Sequence, residues 1–238
     1  MPTHANALAV MAKEPVAGQV KTRLLPALTA DQAAELSRAL LVDQLHHLVS
    51  LDNAELYLAF APAEAGAAMA KLAPAPFRLF AQEGDDLGAR MTHVFERLRA
   101  EGHRNMVLIG SDLPPVPLDY FATAFAALDA AGARVVLGPS RDGGYYLVGM
   151  NRLTPKIFAA MTWSHDQVLA QTTARLDDLK IEFEILATWF DVDTIEDLRC
   201  LKSQLPPGLI AVMKQTVDLL RRLGLDGQET GRGSLIRS

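Results

Sequence analysis

The chain has 238 residues, half of them hydrophobic and 21% charged, which suits one sizeable domain with a packed core. A net charge of −5 argues against binding nucleic acid through a basic surface. The single Cys200 excludes an intrachain disulfide framework, no window reaches the roughly 18 apolar residues of a membrane span, and no basic-then-apolar leader opens the chain, so a soluble cytoplasmic protein is expected.

Short apolar runs alternate with amphipathic helical patterns. "ALAVMA" (7–12) reads as a first strand. A helix follows from about Thr29, which makes a capping-box spacing with Gln32. "AELYLAF" (54–60) and "FRLFAQ" (77–82) read as the next strands, and a helix from about Leu87 places Met91, Val94, Phe95 and Leu98 on one face. "MVLIG" (106–110) is a further strand, and Pro117 is placed to start the helix after it. "RVVLGPS" and "YYLVGM" are strands on either side of "RDGG", which suggests an antiparallel insertion. Ser164 with Gln167 predicts a second capping box, before a helix reaching about Leu179. "EFEILATWFDV" (182–192) is a late strand region, and Thr194 with Asp197 begins another helix. After "QLPPG" (204–208), one helix is expected over 209–223 and a mobile tail beyond it. Near-continuous apolar strands alternating with helices predict an α/β fold: three layers around a mostly parallel mixed sheet. The expected domain covers residues 1–203, with 204–238 as an added helix and tail. That helix could pack on its own domain or on a second copy, which leaves a homodimer open.

In an open sheet of this kind, ligands bind outside the carboxyl ends of the strands. "VLIGSDLPPV" (107–116) puts Asp112 at such an end, where a carboxylate can hold Mg²⁺ or cap the next helix. Prolines 114, 115 and 117 stand between it and that helix and weaken the cap reading. In "WFDVDTIEDL", Asp191 and Asp193 are two apart and point the same way on an extended segment, though Asp193 or Thr194 would also make a good N-cap and leave one aspartate simply solvated. The first loop, "MAKEPVAGQVKTRL" (11–24), supplies Lys13, Gly18, Lys21 and Arg23, a flexible turn with cations that either approach phosphates or are solvated. "EGDDLGARM" (83–91) sets Asp86, Gly88 and Arg90 at a helix start. "RDGGYYLVG" (141–149) combines Asp142 with Gly143 and Gly144, which permit close backbone approach or a simple hairpin turn, and with Tyr145 and Tyr146, one facing inward and one the cleft. His165 in "WSHDQ" is a ligand contact or part of a capping turn. The histidines show no metal-ligand spacing with Cys200, and no G-x-S-x-G elbow is present.

"MAKEPVAGQVKTRL", "DLGARM", "IGSDLP", "DGGYYLVG" and "FDVDTIEDL", in that order, resemble a poorly characterised glycosyltransferase-like family of GT-A fold, the DUF2064 type. That family is similar to the 2-phospho-lactate guanylyltransferases and, more distantly, to the molybdenum-cofactor guanylyltransferases. The resemblance spans about residues 7 to 203. It implies a nucleotide-binding set of Lys13, Gly18, Lys21, Arg23, Asp86, Gly88 and Arg90. It implies metal ligation of Mg²⁺ or Mn²⁺ by Asp112, Asp193 and Asp191, with Asp112 and Asp142 as the catalytic pair. Gly143, Gly144, Tyr145 and His165 fall on the acceptor side. The first loop lacks the "GG-x-x-x-R-[ML]-G" form of well-known nucleotidyltransferases, and "SDLP" has one aspartate where many sugar transferases have D-x-D. The implied function is a metal-dependent transfer from a nucleotide or nucleotide-sugar donor to a small-molecule acceptor. Nucleotidyl transfer with release of pyrophosphate is the alternative, and a non-catalytic nucleotide-binding module the further one.

Overall fold

A computed structural model describes residues 3–25 and 27–225, apart from the side chains of Cys200 and Lys202. In chain order the elements are β1 (Asn6–Lys13), α1 (Ala30–Leu48), β2 (Glu55–Ala61), α2 (Gly66–Ala70), β3 (Arg78–Ala81), α3 (Leu87–Ala100), β4 (Asn105–Gly110), α4 (Leu118–Asp129), β5 (Arg134–Pro139), β6 (Tyr145–Met150), α5 (Val168–Asp178), β7 (Glu182–Ile185), α6 (Ile195–Gln204), α7 (Pro207–Val212) and α8 (Lys214–Arg222). The strands form one sheet in the order β3-β2-β1-β4-β6-β5-β7. β6 alone runs antiparallel, against β4 on one side and β5 on the other.

Alternation along each strand builds the layers. Leu8, Val10, Leu56, Leu58, Val107 and Ile109 face one buried cluster, which takes in Leu36 of α1, Phe121 of α4 and Leu198 of α6. Their neighbours Ala7, Ala9, Tyr57, Ala59, Met106 and Leu108 face a second cluster with Phe95 of α3 and Leu176 of α5. Strands buried on both faces must be apolar at nearly every position, which explains their unbroken hydrophobic runs. The expected three-layer α/β architecture with a mostly parallel mixed sheet is the observed one.

Two capping boxes form as their spacing indicates, Thr29 with Gln32 and Thr194 with Asp197. The third does not. Ser164 lies in the left-handed region at φ 66°, the Gln167 amide donates to His165 Nδ1, and α5 starts only at Val168. The imidazole has taken the amide that the serine would have capped. The late strand is also shorter than "EFEILATWFDV": only Glu182–Ile185 pair as a strand, and beyond it the Leu186 and Trp189 amides donate to the Leu137 and Pro139 carbonyls of β5, with an isolated bridge between Ser140 and Trp189.

The single helix expected over 209–223 is two helices, α7 and α8, separated at Met213. Met213 is buried in the main core, and Asp43 of α1 accepts the amides of Gln215 and Thr216 at 3.0 and 2.8 Å. α8 has no side-chain cap of its own, so a carboxylate from another helix starts it. Leu209, Leu219 and Leu220 complete the packing on their own chain. The tail beyond Leu225 lies outside the described residues.

Candidate active site

The sheet order reverses direction at β1: β2 and β3 lie to one side, and the chain then returns to place β4 on the other. A crevice opens at such a switch point because the two connections leave in opposite directions. A cleft of about 640 Å³ occupies it, lined by Met11, Ala12 and Lys13 from the end of β1 and by Gly110, Ser111 and Asp112 from the end of β4.

Of the residues expected from the sequence, Lys13, Lys21, Arg90, Asp112, Asp142, Gly144, Tyr145, His165 and Asp191 line this cleft. Gly18, Arg23, Asp86, Gly88, Gly143 and Asp193 do not, and their surroundings say what they do instead. Asp86 caps α3 by accepting the Ala89 amide at 2.8 Å. Gly88 lets α3 approach the chain at Phe158 and Trp163: a Cβ there would lie 3.0 Å from the Phe158 carbonyl and 3.2 Å from Trp163. Gly143 has φ 87°, and a Cβ would fall 2.1 Å from the Asp166 carbonyl oxygen, so it admits the loop that carries His165. Gly18 has φ 77° and open space around it.

Lys21 is the centre of the site. Its side chain is 1% exposed, and its ammonium lies 3.0 Å from the Asp112 carbonyl, 2.8 Å from the Val192 carbonyl, 3.2 Å from Asp112 Oδ1 and 3.3 Å from Asp193 Oδ1. Arg23 reaches Asp193 Oδ2 at 3.0 Å from the exposed side. The Val192 amide donates to the Asp112 carbonyl at 3.1 Å, and Trp189 Nε1 donates to the Pro114 carbonyl at 3.1 Å. The end of β4 and the segment after β7 are therefore one structure, although about eighty residues separate Asp112 from Asp191 in the chain.

Around the DGG turn, Asp142 Oδ1 accepts from the Ser140 hydroxyl and from the Gly144 amide. No partner holds Oδ2 among the described residues. His165 Nδ1 accepts the Gln167 amide, so the neutral ring carries its proton on Nε2 and offers a donor. Tyr146 is buried in the main core, while Tyr145 is partly buried against the other cluster. Gln82 joins the lining and donates to the Ala12 and Ala59 carbonyls. Neither Gln82 nor Ser140 was flagged by the sequence; a lone glutamine or serine at a strand end carries no pattern to read.

Burial pushes the Asp191 carboxyl up to about 7, with Asp142 and Asp193 adding to the rise, Lys21 opposing it and Asp112 contributing further. Among the described residues no three His, Cys, Asp or Glu side chains are gathered tightly enough to grip a metal ion, and Lys21 stands between Asp112 and Asp193. The donor chemistry nonetheless suits Mg²⁺ or Mn²⁺: hard carboxylate oxygens, with the Asp112 side chain open to the cleft.

The fold is that of the nucleotide-utilising transferases. Over residues 44–165 the chain matches the family described as "Uncharacterized protein conserved in bacteria (DUF2064)", and it belongs to that family. It superposes with a TM-score of 0.80 on the crystal structure of a "putative nucleotide-diphospho-sugar transferase" from Desulfovibrio desulfuricans G20, at 30% identity, covering 93% of this chain and 99% of that one. A cytidylyltransferase from Leptospira borgpetersenii serovar Hardjo-bovis (strain JB197) matches with a TM-score of 0.54 at 12% identity, over 97% of this chain and 100% of that one. A 4-diphosphocytidyl-2C-methyl-D-erythritol synthase matches with 0.55 at 11% identity, over 87% and 100%. At such identities these last two likenesses concern the fold. No curated protein sequence matches the chain.

Proposed function

We propose that this protein is a metal-dependent transferase that takes a glycosyl group from a nucleotide-sugar donor and passes it to a small-molecule acceptor. The observation that carries the reading is the meeting, in one switch-point cleft, of carboxylates from the end of β4 and from beyond β7 with the cations Lys13 and Arg90. Asp112 and Asp191, which both line the cleft, are the residues that would hold Mg²⁺ or Mn²⁺, whose chemistry there would be to neutralise charge on the donor's phosphate oxygens. Lys13 forms no ion pair among the described residues, and Arg90 uses only Nε on the Gly84 carbonyl, so both keep charge for a diphosphate. Asp142, with Oδ2 uncommitted, is placed to take the acceptor's proton, and His165 offers a hydrogen bond from Nε2.

The acceptor's nucleophile would attack the anomeric carbon, the bond from that carbon to the diphosphate would break, and nucleoside diphosphate would leave. Nucleotidyl transfer, which shares the fold, would release pyrophosphate from a triphosphate instead. Incubation with panels of nucleotide sugars and nucleoside triphosphates in Mn²⁺ tells them apart by product. Asp142→Asn should lower turnover about 10²–10⁴-fold while donor affinity changes little. Turnover equal to wild type would remove Asp142 from the chemistry, and pyrophosphate release would favour nucleotidyl transfer.

A further inference from the structure

We infer that Lys21 is a positioning residue that clamps Asp112 at the cleft and Asp193 beside it, and that the phosphate charge falls to Lys13 and Arg90 instead. The inference rests on the proposed transferase reading for what the carboxylates bind. An ammonium has three protons to give. Two go to backbone carbonyls, those of Asp112 and Val192, and the third to Asp193 Oδ1, with the Asp112 carboxylate in ion-pair contact at 3.2 Å. None is left for a ligand, and the side chain is 1% exposed, whereas the Asp112 side chain is 56% exposed.

The backbone is shaped around this arrangement. Lys21 sits in the left-handed region, at φ 50° and ψ 35°, immediately before a 3-10 turn at Thr22–Leu24. A residue with a Cβ rarely adopts that conformation, so the surrounding contacts must hold it. The acceptors lie 91, 171 and 172 residues away in the chain, so one side chain ties the first loop to the end of β4 and to the segment after β7. Groups that orient metal ligands without touching the metal typically change its affinity about 10–100-fold when removed. Lys13 is exposed on the cleft wall and Arg90 lies at the start of α3; both can meet phosphates without dismantling anything.

Three measurements test this. Lys21→Met should weaken binding of Mn²⁺ alone by about 10–100-fold and speed hydrogen exchange at the Val192 amide, while binding of inorganic pyrophosphate in a metal chelator stays near the wild-type value. Lys13→Met should do the reverse. If Lys21→Met loses pyrophosphate affinity and keeps Mn²⁺ affinity, Lys21 is a phosphate ligand and the inference is overturned. Amine-reactive footprinting of the wild type removes any dependence on the variant's folding: Lys21 should stay far less reactive than Lys13, with and without pyrophosphate. Equal reactivity of the two lysines overturns the clamp. A wild type that binds neither Mn²⁺ nor pyrophosphate would sink the transferase reading, and the footprint would then decide the clamp by itself.

Discussion

Asp191 shows how one side chain reports on its neighbours. Burial, reinforced by Asp142 and Asp193, raises its carboxyl from 3.8 to about 7. The folded protein thus keeps a proton that the unfolded chain releases near pH 4. Between those two values the folded state binds more protons, so stability falls as pH rises, and the full penalty is present above pH 7. Asp191→Asn keeps the shape and removes the charge. It should stabilise the metal-free protein at pH 8, by on the order of 1–3 kcal/mol, and have little effect at pH 4. Denaturant unfolding of both proteins at the two pH values checks this; a destabilised variant at pH 8 would show that the charged carboxylate is compensated in the fold. The roles at this scale were only partly legible. "SDLP" and "DVD" advertise carboxylates at strand ends, and the cleft gathers Asp112 and Asp191. Nothing in "GQVKTRL" says that Lys21 is buried and Arg23 exposed, because burial was decided by acceptors far away in the chain.

At the scale of elements, the helix starts divide by where their caps come from. Thr29 and Thr194 cap the helices they precede through partners three residues on, and a local pattern suffices to find them. α8 is started by Asp43 from α1, 172 residues from Gln215 in sequence, which no local pattern can reveal. At α5 the partner is local but not the expected one: the His165 imidazole, two residues before Gln167, accepts the amide that Ser164 was expected to take. Asp43→Ala leaves the buried Thr216 amide and the half-buried Gln215 amide without that acceptor and should cost about 1–2 kcal/mol. The loss should appear in denaturant unfolding and in faster hydrogen exchange across 214–222. An unchanged midpoint would mean that packing of Leu219 and Leu220 alone holds the helix.

The whole molecule follows from the order of its strands. β1 lies between β2 and β4, so the connections on its two sides diverge and leave the cleft. The apolar runs and the "DGG" turn were enough to read the three layers and the antiparallel strand. The width of the late strand was not readable, because past Ile185 the chain leaves the ladder with β5 and turns to meet the end of β4 through Val192 and Trp189. Far from the cleft, at the opposite ends of the strands, Tyr57 is held by Glu55, Arg78, Glu101 and buried His103, a closed polar network that belongs to the scaffold. Among the described residues no helix is long and apolar enough to cross a membrane.

On the proposed reading, Asp112 makes nucleotide binding in this cleft depend on a divalent metal. The most direct measurement is a thermal-shift titration of wild type and Asp112→Asn with nucleoside diphosphates and triphosphates, with and without Mn²⁺. The Asp112 side chain is more than half exposed, so the near-isosteric variant should fold with a melting temperature close to wild type. In wild type, nucleotide with Mn²⁺ should raise that temperature, by an amount corresponding to about 2.7 kcal/mol at a hundredfold excess over Kd, and the metal-dependent part should vanish in the variant. An equal Mn²⁺-dependent shift in both proteins, or no shift in wild type with any nucleotide, would contradict the account.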